Sequence, residues 1–133
     1  IVQSLVGSEM CIRDRLYNQI NLSLTHPDHM FDGTIEYMQA NDISPMAYSP
    51  LGTYFKNENS KIKKVVNKLK NKYDCTENQL LISWLLKHPS KVYPIIGTTK
   101  SERIKNTLGS LNVEIELIDW FELLEASVGK RVP

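Results

Sequence analysis

Three short runs carry side chains that could bind or position a ligand. They are Asn18-Gln19, Tyr48-Ser49-Pro50-Leu51-Gly52, and Gly97-Thr98-Thr99-Lys100-Ser101-Glu102-Arg103. Gln19 brings a carboxamide, which both donates and accepts hydrogen bonds. Tyr48 offers a flat aromatic face. Ser49 supplies a hydroxyl, and Gly52 lets backbone come close to a ligand. Gly97, Thr98 and Thr99 lead into a helix, whose first N–H groups and partial positive charge favour a phosphate. Arg103, in the first turns of that helix, has a planar fork that can bind two phosphate oxygens at once. Taken singly, each run has a plainer reading. A lone Tyr is more often core, Ser-Pro-Leu-Gly is an ordinary turn, and a lone Arg on a helix is usually solvated. Their order and spacing together are specific.

Ligand-binding groups in α/β proteins sit just past the carboxyl ends of strands, so each run needs a strand before it. In residues 16–24, Leu16, Ile20, Leu22 and Leu24 partly alternate as in a strand. Phe31, Ile35 and Met38 have helical spacing over 31–40, with Asp32 as N-cap. Residues 43–49 read as a second strand, with Pro45 near its start. Ser60 can cap a helix with Ile62, Val65, Val66, Leu69 and Tyr73 on one face and lysines on the rest. Thr76-Glu77-Asn78-Gln79 matches a capping box before an almost wholly apolar helix that Pro89 closes. Residues 91–96 read as a third strand, and helices follow through Leu108 and over 116–126, the last carrying Leu117, Trp120, Phe121 and Leu124. Strands alternating with helices argue an α/β fold with a parallel sheet.

The chain has 133 residues, 16 Lys+Arg against 15 Asp+Glu, and a net charge of +1, a balance that argues against a strongly basic nucleic-acid binder. No apolar run approaches the roughly 18 residues of a membrane span. Two distant cysteines build no disulfide framework, which favours a reducing, cytoplasmic compartment. Residues 1–15 stand apart. Glu9 to Asp14 can be encoded as GAG ATG TGT ATA AGA GAC, with AGA for Arg15, a string like the transposon end of sequencing adapters. The segment is therefore expected to be a non-native, adapter-derived scar, and residues 16–133 the protein proper. Setting it aside removes Cys11 and leaves Cys75 alone, so paired-cysteine redox chemistry drops out.

Residues 17–133 resemble the C-terminal part of an aldo-keto reductase of the bacterial oxidoreductase branch. The matching stretches are NQINLS (18–23), DGTIEYMQ (32–39), SPMAYSPLG (44–52), NQLLISWLLKHPS (78–90), PIIGTTKSERI (94–104) and WFELLEASVGKRVP (120–133). The resemblance implies a (β/α)8 TIM barrel of which this chain supplies strands six to eight with their helices. It also implies NADPH/NADP+ as cofactor and a small-molecule carbonyl as substrate. By that match Gln19 holds the nicotinamide carboxamide and Tyr48, where many relatives carry Trp, stacks under the ring. Ser49, Leu51 and Gly52 cover the diphosphate, with Gly97, Thr98 and Thr99 at the strand-to-helix turn. Arg103 grips the 2′-phosphate, and Asn106 and Thr107 lie near the adenine. Relatives in other branches often have Asn at the position of Thr107.

The family's catalytic Asp, Tyr, Lys and His fall on strands before Leu16, so no catalytic residue is assigned here and no metal site is expected. No substitute stands out: His26 and His29 read as solvent or substrate-loop residues, His88 as a helix-end residue, and Tyr37 and Tyr54 lack a matched Lys. The expected activity is that of a reductase, with this piece inactive alone. The alternative is a non-catalytic NADPH-binding partner module, like the channel β subunits that share the fold. A nucleic-acid role for the Lys-rich helix 61–72 is disfavoured, because its charges surround an apolar stripe rather than form one patch. The sequence names neither substrate nor oligomeric state.

Overall fold

A computed structural model of the chain describes residues 16–56, 58 and 60–132; the adapter-like segment 1–15 lies outside them. In chain order the elements are β1 (Tyr17–Asn21), α1 (Thr34–Ala40), β2 (Ser44–Tyr48), α2 (Ser60–Tyr73), α3 (Glu77–Leu86), β3 (Tyr93–Pro94), α4 (Ser101–Leu108) and α5 (Leu117–Val128). Single 3-10 turns occupy Asp28–Met30 and Gly109–Asn112. The strands form one parallel sheet in the order β1-β2-β3. Tyr17 pairs with Ser44, Gln19 with Met46 and Asn21 with Tyr48, while Met46 and Ala47 pair with Tyr93 and Pro94.

Alternate residues of a strand face opposite sides of its sheet. Ile20, Leu22, Pro45 and Ala47 turn to the helices and are buried. Tyr17, Gln19, Asn21, Ser44, Met46, Tyr48 and Tyr93 alternate with them on the other face, which no described helix covers. The Tyr17 and Tyr93 rings meet there edge to face across β2, centroids 5.6 Å apart.

The helical layer is closed by two indoles. Trp84 of α3 and Trp120 of α5 stack at 5.1 Å and 11°. Each ring N–H donates to the other residue's carbonyl, Trp84 Nε1 at 3.1 Å and Trp120 Nε1 at 2.8 Å. Both polar handles are thus satisfied inside the core. The expected face of α2 buries Ile62, Val66 and Leu69. Its lysines reach neighbouring helices: Lys68 pairs with Glu122 at 2.7 Å, Lys72 with Asp119 at 2.7 Å, and Lys70 with Glu77 at 3.2 Å. The capping box of α3 forms as written, with Thr76 Oγ1 accepting from the Gln79 N–H and Gln79 Oε1 from the Thr76 N–H.

Three sequence expectations are corrected. The helix expected over 31–40 begins at Thr34, because Asp32 and Gly33 form a turn. Asp32 Oδ1 accepts the Thr34 N–H at 2.9 Å and Gly33 has φ +87°. Phe31 is left exposed. The strand expected over 91–96 shrinks to Tyr93–Pro94, since Pro94 has no N–H for a ladder; one further bond runs from the Ile95 N–H to Ala47 O at 2.9 Å. The last helix starts at Leu117, and Leu117 and Phe121 are exposed while Trp120, Leu123 and Leu124 carry its core face.

Candidate functional site

Because the strands are parallel, their carboxyl ends share one edge of the sheet. The segments leaving β2 and β3 at that edge face each other across a cleft of about 590 Å³. Ser49, Pro50, Leu51, Gly52 and Phe55 form one side. Ile96, Gly97, Thr98, Arg103 and Thr107 form the other, and α3 adds Asn78 and Ile82. Seven residues singled out in the sequence thus meet in one place: Ser49, Leu51, Gly52, Gly97, Thr98, Arg103 and Thr107.

The segment after β2 is tightly folded. Ser49 sits at φ +50°, a left-handed backbone that non-glycine residues seldom adopt. Its carbonyl accepts the Gly52 N–H at 2.8 Å. Gly52, at φ +55°, has no room for a side chain, since a Cβ would lie 2.0 Å from Thr25 Oγ1 and 2.4 Å from Ser23 Oγ. Glycine is required there by both backbone and space. Gly97 is the opposite case. A Cβ on it would meet nothing within 4 Å, so its backbone borders open cleft.

The other side carries Lys100 and Arg103, with Glu102 also in the first turn of α4. Among the described residues no side chain caps α4, which leaves the N–H groups of its first turn to an anion. Thr98 Oγ1 accepts the Lys100 N–H at 3.2 Å, shaping the approach to that turn. Arg103 is exposed, and its guanidinium has no hydrogen-bond or ion-pair partner among the described residues. Thr107 Oγ1 donates to Arg103 O at 2.8 Å. A ligand phosphate at the first turn of α4 and Arg103 would fit the donors present there.

Four expected residues lie elsewhere. Thr99 is exposed beside the cleft but does not line it. Asn106 turns to α3: its Oδ1 accepts from Thr76 Oγ1 at 3.2 Å and its carbonyl from Gln79 Nε2 at 2.7 Å. It docks α4 on the capping box. Gln19 and Tyr48 stand on the open face of the sheet, two positions apart in register, both exposed and Tyr48 by 44%. Next to them is Asn21, whose side-chain oxygen is buried without a hydrogen-bond partner. Sequence reasoning missed Asn21, although its alternation with Gln19 was there to be read. It also missed Asn78 and Phe55, which carry no local signal.

Two titratable side chains outside the cleft are shifted by burial. Burial, with the Glu77 carboxylate beside it, pushes the Tyr54 phenol up to about 12. Burial holds His88 below its usual range, and its Nδ1 lies 2.7 Å from Ser90 Oγ. Among the described residues no group of three His, Cys, Asp or Glu side chains could hold a metal ion. No described helix is long and apolar enough to cross a membrane.

The sequence profile of the aldo/keto reductase family matches residues 13–126. The chain belongs to the aldo/keto reductase family. A 6-dehydroglucose reductase of Agrobacterium fabrum is 34% identical over 131 residues, covering 97% of this chain and 44% of that protein. The uncharacterised oxidoreductase YcsN of Bacillus subtilis is 32% identical over 122 residues, covering 87% of this chain and 41% of its own. The thermostable aldo-keto reductase Tm1743 superposes with a TM-score of 0.74 at 22% identity over 83% of this chain and 39% of that one. An aldo/keto reductase of Klebsiella pneumoniae, solved with NADP and acetate, gives a TM-score of 0.69 at 22% identity over 80% of this chain and 38% of its own. This aldo/keto reductase chain therefore spans less than half the length of these relatives. The structural likeness is one of fold, that of a TIM-barrel family, into which three parallel strands with helices on one face fit.

Proposed function

We propose that this chain is the cofactor-binding, C-terminal part of a longer NADPH-dependent aldo-keto reductase, supplying strands six to eight of the (β/α)8 barrel. The observation that carries the reading is the single cleft that gathers Ser49, Leu51, Gly52, Gly97, Thr98, Arg103 and Thr107. Arg103 and the uncapped first turn of α4 would hold the 2′-phosphate. The Ser49 hydroxyl would meet the diphosphate, and Gly52, with no side chain, would let it come close. Gln19 would fix the nicotinamide amide, and Tyr48 would support the ring. The bound dinucleotide supplies a hydride for a carbonyl carbon. This chain's residues orient it, and the proton for the carbonyl oxygen comes from the family's catalytic residues, which lie before Leu16 in the longer protein. Reductases of 6-dehydroglucose among the relatives support a carbonyl as the group reduced.

The chain alone is therefore expected to turn over no carbonyl. In the longer protein, NADPH should be oxidised by members of an aldehyde and ketone panel. Arg103→Ala should raise KM for NADPH on the order of tenfold or more, with KM for NADH nearly unchanged, since one charge-assisted phosphate contact is worth roughly 1.5–3 kcal/mol. Equal affinity for NADPH and NADH in the unsubstituted protein would overturn the role given to Arg103. Binding without turnover would favour the non-catalytic partner module.

A further inference from the structure

The segment after β1 and the segment after β2 are joined at one hydroxyl, that of Thr25. Thr25 Oγ1 accepts the backbone N–H of Thr53 at 3.0 Å, a contact across 28 positions of sequence. It also lies 3.2 Å from Ser23 Oγ and 3.2 Å from His26 Nδ1. A hydroxyl can donate once and accept twice, so these three neighbours use its whole capacity. Ser23 is fully buried, and Thr25 is the partner of its hydroxyl. The same two oxygens fill the space where a Gly52 side chain would stand. The segment that presents these oxygens is itself held from both sides. Ser23 and His26 exchange backbone hydrogen bonds, and Ser127 Oγ of α5 donates to Leu24 O.

The consequence falls on the cleft. Ser49, Leu51, Gly52 and Phe55 line it from the front, while the Gly52–Thr53 backbone is gripped from behind. We propose that Thr25 is a positioning residue that sets the height of the 49–56 segment over the cofactor diphosphate. It acts through the Thr53 amide and the close packing at Gly52. The inference rests on the cofactor reading given above and adds to it a residue outside the cleft.

The test compares Thr25→Val, which keeps shape and loses the hydroxyl, with Thr25→Ser, which keeps the hydroxyl, in the full-length reductase. Titrations use NADP+ and 2′-AMP, the latter carrying the 2′-phosphate and adenine but no diphosphate. Thr25→Val should weaken NADP+ about tenfold, equivalent to about 1.4 kcal/mol, and leave 2′-AMP within about twofold. Thr25→Ser should bind both ligands as the unsubstituted protein does. Amide hydrogen exchange over residues 50–56 should accelerate in Thr25→Val alone, with no ligand present. Unchanged NADP+ affinity in Thr25→Val, or equal loss of both ligands, would overturn the proposal. An unsubstituted protein that binds no NADP+ would instead overturn the cofactor reading. In that event the exchange of residues 50–56 still decides whether Thr25 holds the segment.

Discussion

The two faces of the sheet are made by alternate residues of the same strands and have opposite characters. On the helix side, Ile20 and Ala47 sit side by side in register, both buried. The layer above them ends in the Trp84–Trp120 pair, where each indole N–H has found a carbonyl. On the other side, Tyr17, Gln19, Tyr48 and Tyr93 are exposed, and the Asn21 oxygen has no partner. One face is buried beneath the helices; the other presents exposed polar and aromatic side chains. The contrast shows that burial and exposure are divided here by strand parity, residue by residue, rather than by region of chain.

The largest expected break in that contrast is Trp84→Ala. The indole is fully buried, stacked and hydrogen-bonded, so its loss should cost about 3–5 kcal/mol of folding stability. Tyr48→Ala, on the open face, should change stability by only about 0.5 kcal/mol, read by denaturant unfolding. A large stability loss at Tyr48 would mean that the open face is not free. Next in size is Gly52→Ala. It adds a Cβ within 2.0 Å of Thr25 Oγ1 at a left-handed φ, and roughly 1–3 kcal/mol should be lost. Gly97→Ala has open space around its Cβ and should be nearly neutral for folding while intruding on the cleft.

The smallest effect expected is a pH slope. Burial holds His88 below its ordinary 6.5. The unfolded chain therefore takes up a proton first as pH falls. His88 contributes stability that is present above about pH 6.5 and is lost as pH falls through its lower folded value. His88→Gln should flatten this slope in unfolding curves taken from about pH 8 to pH 5. Asp119 repeats the sign at lower pH. Its burial opposes ionisation, but Lys72 and the Tyr73 hydroxyl, 2.7 and 2.5 Å away, outweigh that and hold it below 3.8. Its contribution is present above about pH 3.8 and is lost on further acidification.

Much of the fold was legible because its signals are local. The Ile62-Val66-Leu69 stripe, the Thr76–Gln79 capping box and the apolar body of α3 each follow from spacing within one or two turns. Misread ends have local causes too, the Asp32–Gly33 turn and the missing N–H of Pro94. The cleft was legible through its Gly, Ser, Thr and Arg residues and their placement after strands. What could not be read depends on the path of the chain in space. Nothing near Asn106 announces that it reaches back 30 positions to Thr76, and nothing near Phe55 or Asn78 places them on the cleft. The hold of Thr25 on Thr53 belongs to the same class, a contact between two segments that no periodicity connects.

The most direct test of the cofactor cleft is a crystal structure of the full-length reductase grown with NADP+. The account predicts the diphosphate under residues 49–52, the 2′-phosphate at Arg103 and the first turn of α4, and the nicotinamide ring against Tyr48 with its amide at Gln19. A dinucleotide bound away from Arg103 and Gly52, or no dinucleotide in a fully folded barrel, would contradict it.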